Sequence, residues 1–273
     1  MEKTIKTLIF GALLVGAGCF LGLVLRWIGD GYETLIPPSW DALYLGIWLL
    51  GALVALAVTG GLVAVLLRPF RIVAIAFAVS ALAMFLVWEI SAFSAIAAAI
   101  YFLVGLFYVV GVRREIGNRI RFSAWHIARS QMILLVVLVA IACASLYSGY
   151  AAEIEREGFS IPEDAVDWVV EIADEQLDTM LPEGILSPEQ KQEALDQLRA
   201  TLEGEAESAI EPYTGYIPMG LAAIVFMILM PTVLFLFWIP ILILSLVFFI
   251  LTRSGVVNEE TEMVEATRLS IES

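Results

Sequence analysis

Residues able to do acid–base, nucleophilic or metal chemistry are scarce in this chain, and those present stand far apart. His126 is the single histidine among 273 residues. No cysteine or acidic pair stands near it at a ligand spacing, which argues against a catalytic zinc site. Cys19 and Cys143 each lie inside an apolar run, where a thiol acts as a small packing residue. Neither GxSxG, HExxH, a P-loop nor GxGxxG before a helix occurs, and there is no pair of intramembrane aspartates. An enzyme needs a positioned acid, base or nucleophile, so the chain reads as non-enzymatic, with no cofactor and no metal. A basic footprint for nucleic acid is also missing.

What the sequence does position is charge. Residues 7–25, 42–67, 130–152 and 212–252 contain no Asp, Glu, Lys or Arg, and 72–112 contains only Glu89. A hydrocarbon core is spanned by about 20 apolar residues, so these runs predict a polytopic membrane protein. Its mean hydropathy of +0.90, with 60% hydrophobic residues, suits neither a soluble domain nor a disordered chain. Gly16-Ala17-Gly18-Cys19 loosely resembles a lipoprotein cleavage site. The apolar run continues past it to Leu25, which favours a retained first span.

The expected spans are 7–28, 42–67, 72–87, 92–112, 130–150 and 214–252. A carboxylate at the bilayer centre costs about 2.5–3.5 kcal/mol, so Glu89 should mark a turn at an interface, with Trp88 anchoring it. The last run is long enough for either one helix kinked at Pro231 and Pro240 or a tight hairpin. The single helix is favoured, because no Gly, Asn, Asp or Ser lies between Leu221 and Leu244.

Lys3, Lys6, Arg68, Arg71, Arg113, Arg114, Arg119, Arg121 and Arg129 then share one side of the membrane. The positive-inside bias makes that side cytoplasmic. The five arginines from Arg113 to Arg129 could also hold anionic lipid headgroups, at about 1 kcal/mol each, although topology alone accounts for them equally well. On the opposite side, Arg26 and Glu89 are candidates for a charge pair tying the first span to the third and fourth.

Nearly all the net charge of −14 comes from one segment: 151–211 carries eighteen acidic residues against Arg156, Lys191 and Arg199. It reads as a helical hairpin. Ser160-Ile161-Pro162-Glu163 has capping-box spacing, and Val166, Val169, Ala173, Leu177 and Met180 recur on one face. Pro182-Glu183-Gly184 breaks the pattern. Ser187-Pro188 opens a second helix with the stripe Leu195, Leu198, Leu202, Ala206 and Ala209. Within the spans, Gly18-xxx-Gly22, Ala57-xxx-Gly61 and Ser91/Ala95/Ala99 are small-residue patterns suited to close helix packing. Tyr101, Tyr108, Tyr147, Ser145 and Ser148 either line a polar path or bond neighbouring helices.

The expected fold is therefore all-α. Residues 1–150 form five membrane spans, 151–213 an extracytoplasmic acidic hairpin, 214–252 a long kinked sixth span, and 253–273 a polar tail. The function expected is interaction, assembly or scaffolding in the cell membrane, with the N-terminus cytoplasmic. Membrane lipid is one partner, and a protein or a second copy docking on 151–211 is the other. A channel or transporter for a small solute is the alternative.

Overall fold

The chain builds helices wherever its charge-free runs leave no partner for a backbone amide except the next turn. The computed structural model describes residues 2–31, 40–117, 124–158, 163–180, 188–202, 204 and 211–256. In chain order the α-helices are α1 (Glu2–Asp30), α2 (Trp40–Leu66), α3 (Phe70–Trp88), α4 (Ala92–Gly117), α5 (Ala128–Glu157), α6 (Glu163–Met180), α7 (Pro188–Thr201), α8 (Ile217–Leu236) and α9 (Trp238–Arg253). Short 3-10 turns, Ala124–Ile127 and Glu211–Tyr216, lead into α5 and α8. Six helical stretches are long and apolar enough to cross a membrane: α1 to α5, and the continuous run Pro212–Arg253.

Helix α1 lies at the centre, against α2, α3 and α5. It runs parallel to α3. The Ser80 hydroxyl donates to the Leu14 carbonyl at 3.0 Å, and one helical turn further a methyl at Gly22 would lie 2.6 Å from the Met84 carbonyl oxygen. It also runs parallel to α5, where the Ser145 hydroxyl donates to the Leu25 carbonyl at 2.8 Å. At Gly149 a Cβ would fall on the backbone of Gly29. Gly18 meets Ser80 and Gly61 meets Leu244, so the first two small-residue patterns are inward packing surfaces. The third is turned outward. Ala95 and Ala99 are exposed, and α4 instead buries Ser94, Ala97, Ala98, Tyr101 and Gly105.

The turn at Glu89 falls where the carboxylate predicts it, as the extended residue ending α3. No Gly, Pro or Asn makes it; two serines do. The Ser94 amide donates to the Ser91 hydroxyl at 3.1 Å, an N-cap for α4, while the Ser94 hydroxyl bonds the Glu89 carbonyl. Trp88 anchors the turn from inside. It is 5% exposed and meets Phe93 edge-on at 6.0 Å.

The last apolar run does not fold back. It is interrupted at one residue, Phe237, whose φ of −60° and ψ of −22° remain helical. Pro240 explains the location. Its missing N–H leaves the Leu236 carbonyl four residues earlier without a helical partner, and its ring crowds that carbonyl. Pro231 is tolerated inside α8, and the adjacent Thr232 hydroxyl donates to the Ile228 carbonyl at 2.8 Å.

The helix directions place Lys6, Arg68, Arg71, Arg113, Arg114, Arg129 and Arg253 at one end of the bundle. At that end Lys6 Nζ donates to the Val256 carbonyl at 3.1 Å, tying α1 to the residues just after α9. Asp30, Asp41, Glu89 and the acidic end of α5 lie at the other.

Candidate functional site

The acidic hairpin is the largest elaborated polar element. It begins from α5, which runs seven residues past the span expected for it and ends at Gly158, where φ is +83°. Helices α6 and α7 then pack on each other. Residues three and four apart share a helix face, and the covered residues of α6 include the stripe Val166, Val170, Ala173 and Leu177, with Ala165, Ile172 and Asp174 beside it. Val169, expected in that stripe, is 36% exposed. The spacing 166–170–173–177 follows the helical period better than a stripe stepping through 169. On α7 the covered residues are Lys191, Leu195 and Leu198, and Leu202 is half-buried just past its end. Met180 as a stripe residue falls on a side chain outside the described set. The breaker Pro182-Glu183-Gly184, the Ser160–Pro162 and Ser187 cap residues, and Ala206 and Ala209 also lie outside the described residues.

Two of the segment's three basic residues stitch these helices together. Lys191 Nζ lies 2.6 Å from Asp174 Oδ1, and Arg199 pairs with Asp167. As the α7 partner advances from 191 to 199, the α6 partner retreats from 174 to 167, which fixes the antiparallel register. The third, Arg156, pairs at 2.6 Å with Glu153 within α5. The seam is thus partly apolar and partly ionic. Outside it, Trp168 is 43% exposed beside Val169, among the exposed Asp167, Glu171 and Glu175. A large apolar ring presented on an acidic helix suits a surface that supplies both an apolar socket and positive charge.

The other candidate residues divide. Arg26 pairs with Asp30, one turn along its own helix, at 3.7 Å; no Arg26–Glu89 ion pair forms. The i,i+4 spacing gives Arg26 a partner that costs less side-chain ordering than one on another helix. Arg113 is turned inward, donating to the Leu67 carbonyl at 2.9 Å and lying over the Phe70 ring at 5.5 Å. It therefore pins the α2–α3 connection. Arg114 and Arg129 are exposed, while Arg119 and Arg121 lie outside the described residues. The hydroxyls that could line a path are mostly spent within the bundle. Tyr101 bonds Ser80 at 3.0 Å, Ser145 bonds Leu25 as above, and Ser148 bonds the Ser145 carbonyl at 2.9 Å. Tyr147 is 40% exposed on the outside. Three crevices among the spans are lined almost wholly by apolar side chains. One of them, about 230 Å³, lies between α1, α2, α5 and α8 around Leu49, Leu146 and Leu229.

Among the described residues, no group of three or more His, Cys, Asp and Glu side chains is placed to hold a metal ion. Sequence reasoning singled out Tyr108 but missed Glu115 and Gln131, which also bury polar atoms without a partner in the protein, because Gln131 stands alone at the start of an apolar run. Comparison with known protein families, with curated proteins and with solved structures gives no match. The six apolar helices define the class: a multi-pass helical membrane protein.

Proposed function

We propose that this is a non-enzymatic protein of the cell membrane that works as an interaction or assembly element through its acidic hairpin. In this reading the basic end is cytoplasmic, with the N-terminus, and the hairpin is extracytoplasmic. The observation that carries the reading is the hairpin surface. Helices α6 and α7 close on each other through their own seam, yet leave Trp168 and Val169 exposed on an acidic face. An exposed aromatic ringed by charge is the usual composition of an interface anchor. The bundle beneath supports a holding role, since its buried hydroxyls mostly bond its own helices.

The experiment is the mass of the purified full chain in detergent, compared with Trp168→Glu. One chain weighs 29.9 kDa. The reading expects a larger protein mass, from a second copy or a bound partner, that collapses to one chain in the variant. A single-chain mass for the unaltered protein, or a complex indifferent to Trp168→Glu, would refute it. A solute path is the second reading, and one observation favours it: the buried polar seam at the basic end.

A further inference from the structure

Four polar atoms of three side chains are buried at the basic end without a hydrogen-bond partner in the protein: Tyr108 Oη, Glu115 Oε2, and both Gln131 Nε2 and Oε1. Gln131 is fully buried and Tyr108 is 3% exposed. The helix register brings these groups to one seam. Gly111 of α4 faces the Ser130 side chain of α5, and the Tyr108 hydroxyl reaches the strip between Gly61 of α2 and Leu244 of α9. Ala128 packs on the Leu62, Ile241, Leu244 and Phe248 cluster. Gln131, three residues on from Ala128, lies on the same face of α5. Glu115 lies two turns from Tyr108 on the same side of α4. It is only partly covered and next to the exposed Arg114, at the bundle's basic end.

An unpaired amide or hydroxyl in hydrocarbon costs several kilocalories per mole, so such groups persist where water or a polar ligand reaches them. The needs here are mixed: Gln131 Nε2 must donate, its Oε1 and the Glu115 carboxylate must accept, and the Tyr108 hydroxyl does either. A metal ion would leave the amide donor unsatisfied. Water, which donates and accepts, satisfies every group.

We propose that the seam between α2, α4, α5 and α9 is a water-filled inlet, with Glu115 at its mouth and Gln131 and Tyr108 at its inner end. It admits water and small hydrophilic solutes from the basic end and stops below the apolar layer at Leu138. This goes beyond the scaffold reading and does not depend on it.

The test uses the full chain with Cys19→Ala and Cys143→Ala, carrying either Gln131→Cys or Leu138→Cys. Leu138 is equally buried and lies two turns deeper along the same face. Each is treated in detergent with a small hydrophilic methanethiosulfonate reagent. A thiol reacts as its thiolate, which needs water beside it, so residue 131 should label at least about tenfold faster than 138. Equal rates at the two positions, whether both fast or both inert, would overturn the inlet. Gln131→Leu gives a second readout that does not require a cysteine to be tolerated. In a hydrated seam it strips the water of two partners, and the melting temperature falls by about 2–4 °C. In a dry seam it removes two orphaned groups, and a rise in melting temperature would overturn the proposal.

Discussion

In the membrane bundle, helices approach until a glycine hydrogen is all that separates two backbones. In the acidic hairpin, α6 and α7 are joined by long side chains that end in charges. The contrast follows from the surroundings each region is built for. Lipid offers no hydrophobic drive between helices, so association rests on contact between small residues and on a few interhelical hydrogen bonds. Gly22 against Met84, Gly149 against Gly29, and Ser80 against Leu14 are those contacts. In water the apolar stripe Val166, Val170, Leu195 and Leu198 supplies the drive, and Lys191–Asp174 and Arg199–Asp167 fix the register. A bundle of this kind tolerates no added volume at its crossings. A hairpin of the other kind tolerates volume but no unpaired charge in its seam.

The largest effect should come from adding a single methyl at a bundle crossing. At an exposed helix position Gly→Ala gains up to about 1 kcal/mol. At Gly149 or Gly22 the sign should reverse. The new Cβ meets backbone, which cannot rotate away, and overpacking costs about 1–3 kcal/mol or more. Thermal unfolding of Gly149→Ala in detergent should therefore begin well below that of the unaltered protein. Gly51→Ala, with open space around it, should be neutral or slightly more stable. Equal behaviour of the two would break the claim that close backbone approach holds the bundle.

Next in size is Leu195→Asp, which puts a carboxylate into the most covered position of α7, where a residual exposure of 9% lets water reach it and keeps the cost below that of the backbone clash. Limited proteolysis should then cut within 163–202 while the spans stay intact. Leu198→Asp should do the same more weakly, since Leu198 is only half-buried. Unchanged proteolysis of both would show that the stripe faces something other than its partner helix.

Ser80→Ala should be milder, at about 1 kcal/mol, because it leaves Tyr101 and the Leu14 carbonyl with one bond fewer in an otherwise packed site. The smallest effect belongs to Glu89→Gln. The carboxylate is exposed at its turn and carries no ion pair with Arg26, so the melting temperature should not move. The turn itself depends on Ser94, and Ser94→Ala should lower stability where Glu89→Gln does not.

The runs without charge delimit the six spans because burying a charge in hydrocarbon is costly enough to leave a mark in any membrane sequence. The finer errors have local causes. The Ser91–Ser94 cap was readable from a serine three residues before another at a helix start, and Arg26–Asp30 from i,i+4 spacing. Placing the break at Phe237 instead of at Pro240 itself needed the rule that a proline disturbs the carbonyl four residues before it. Which face of α4 is inward was not readable. In an almost uniformly apolar helix, Ala95 and Ala97 differ only by what lies opposite. The polar seam escaped for the same reason, since Tyr108 and Glu115 of α4 meet Gln131 of α5 only once the connection between the two helices is folded.

The proposed topology puts the two charged ends of the bundle on opposite sides of a cell membrane, with the hairpin outside. It is tested by placing single cysteines at the exposed positions Arg114 and Glu193, with Cys19→Ala and Cys143→Ala, and treating intact cells with a membrane-impermeant thiol reagent. Glu193→Cys should label at once, and Arg114→Cys only after the membrane is opened. Labelling of both in intact cells, or of residue 114 alone, would contradict it.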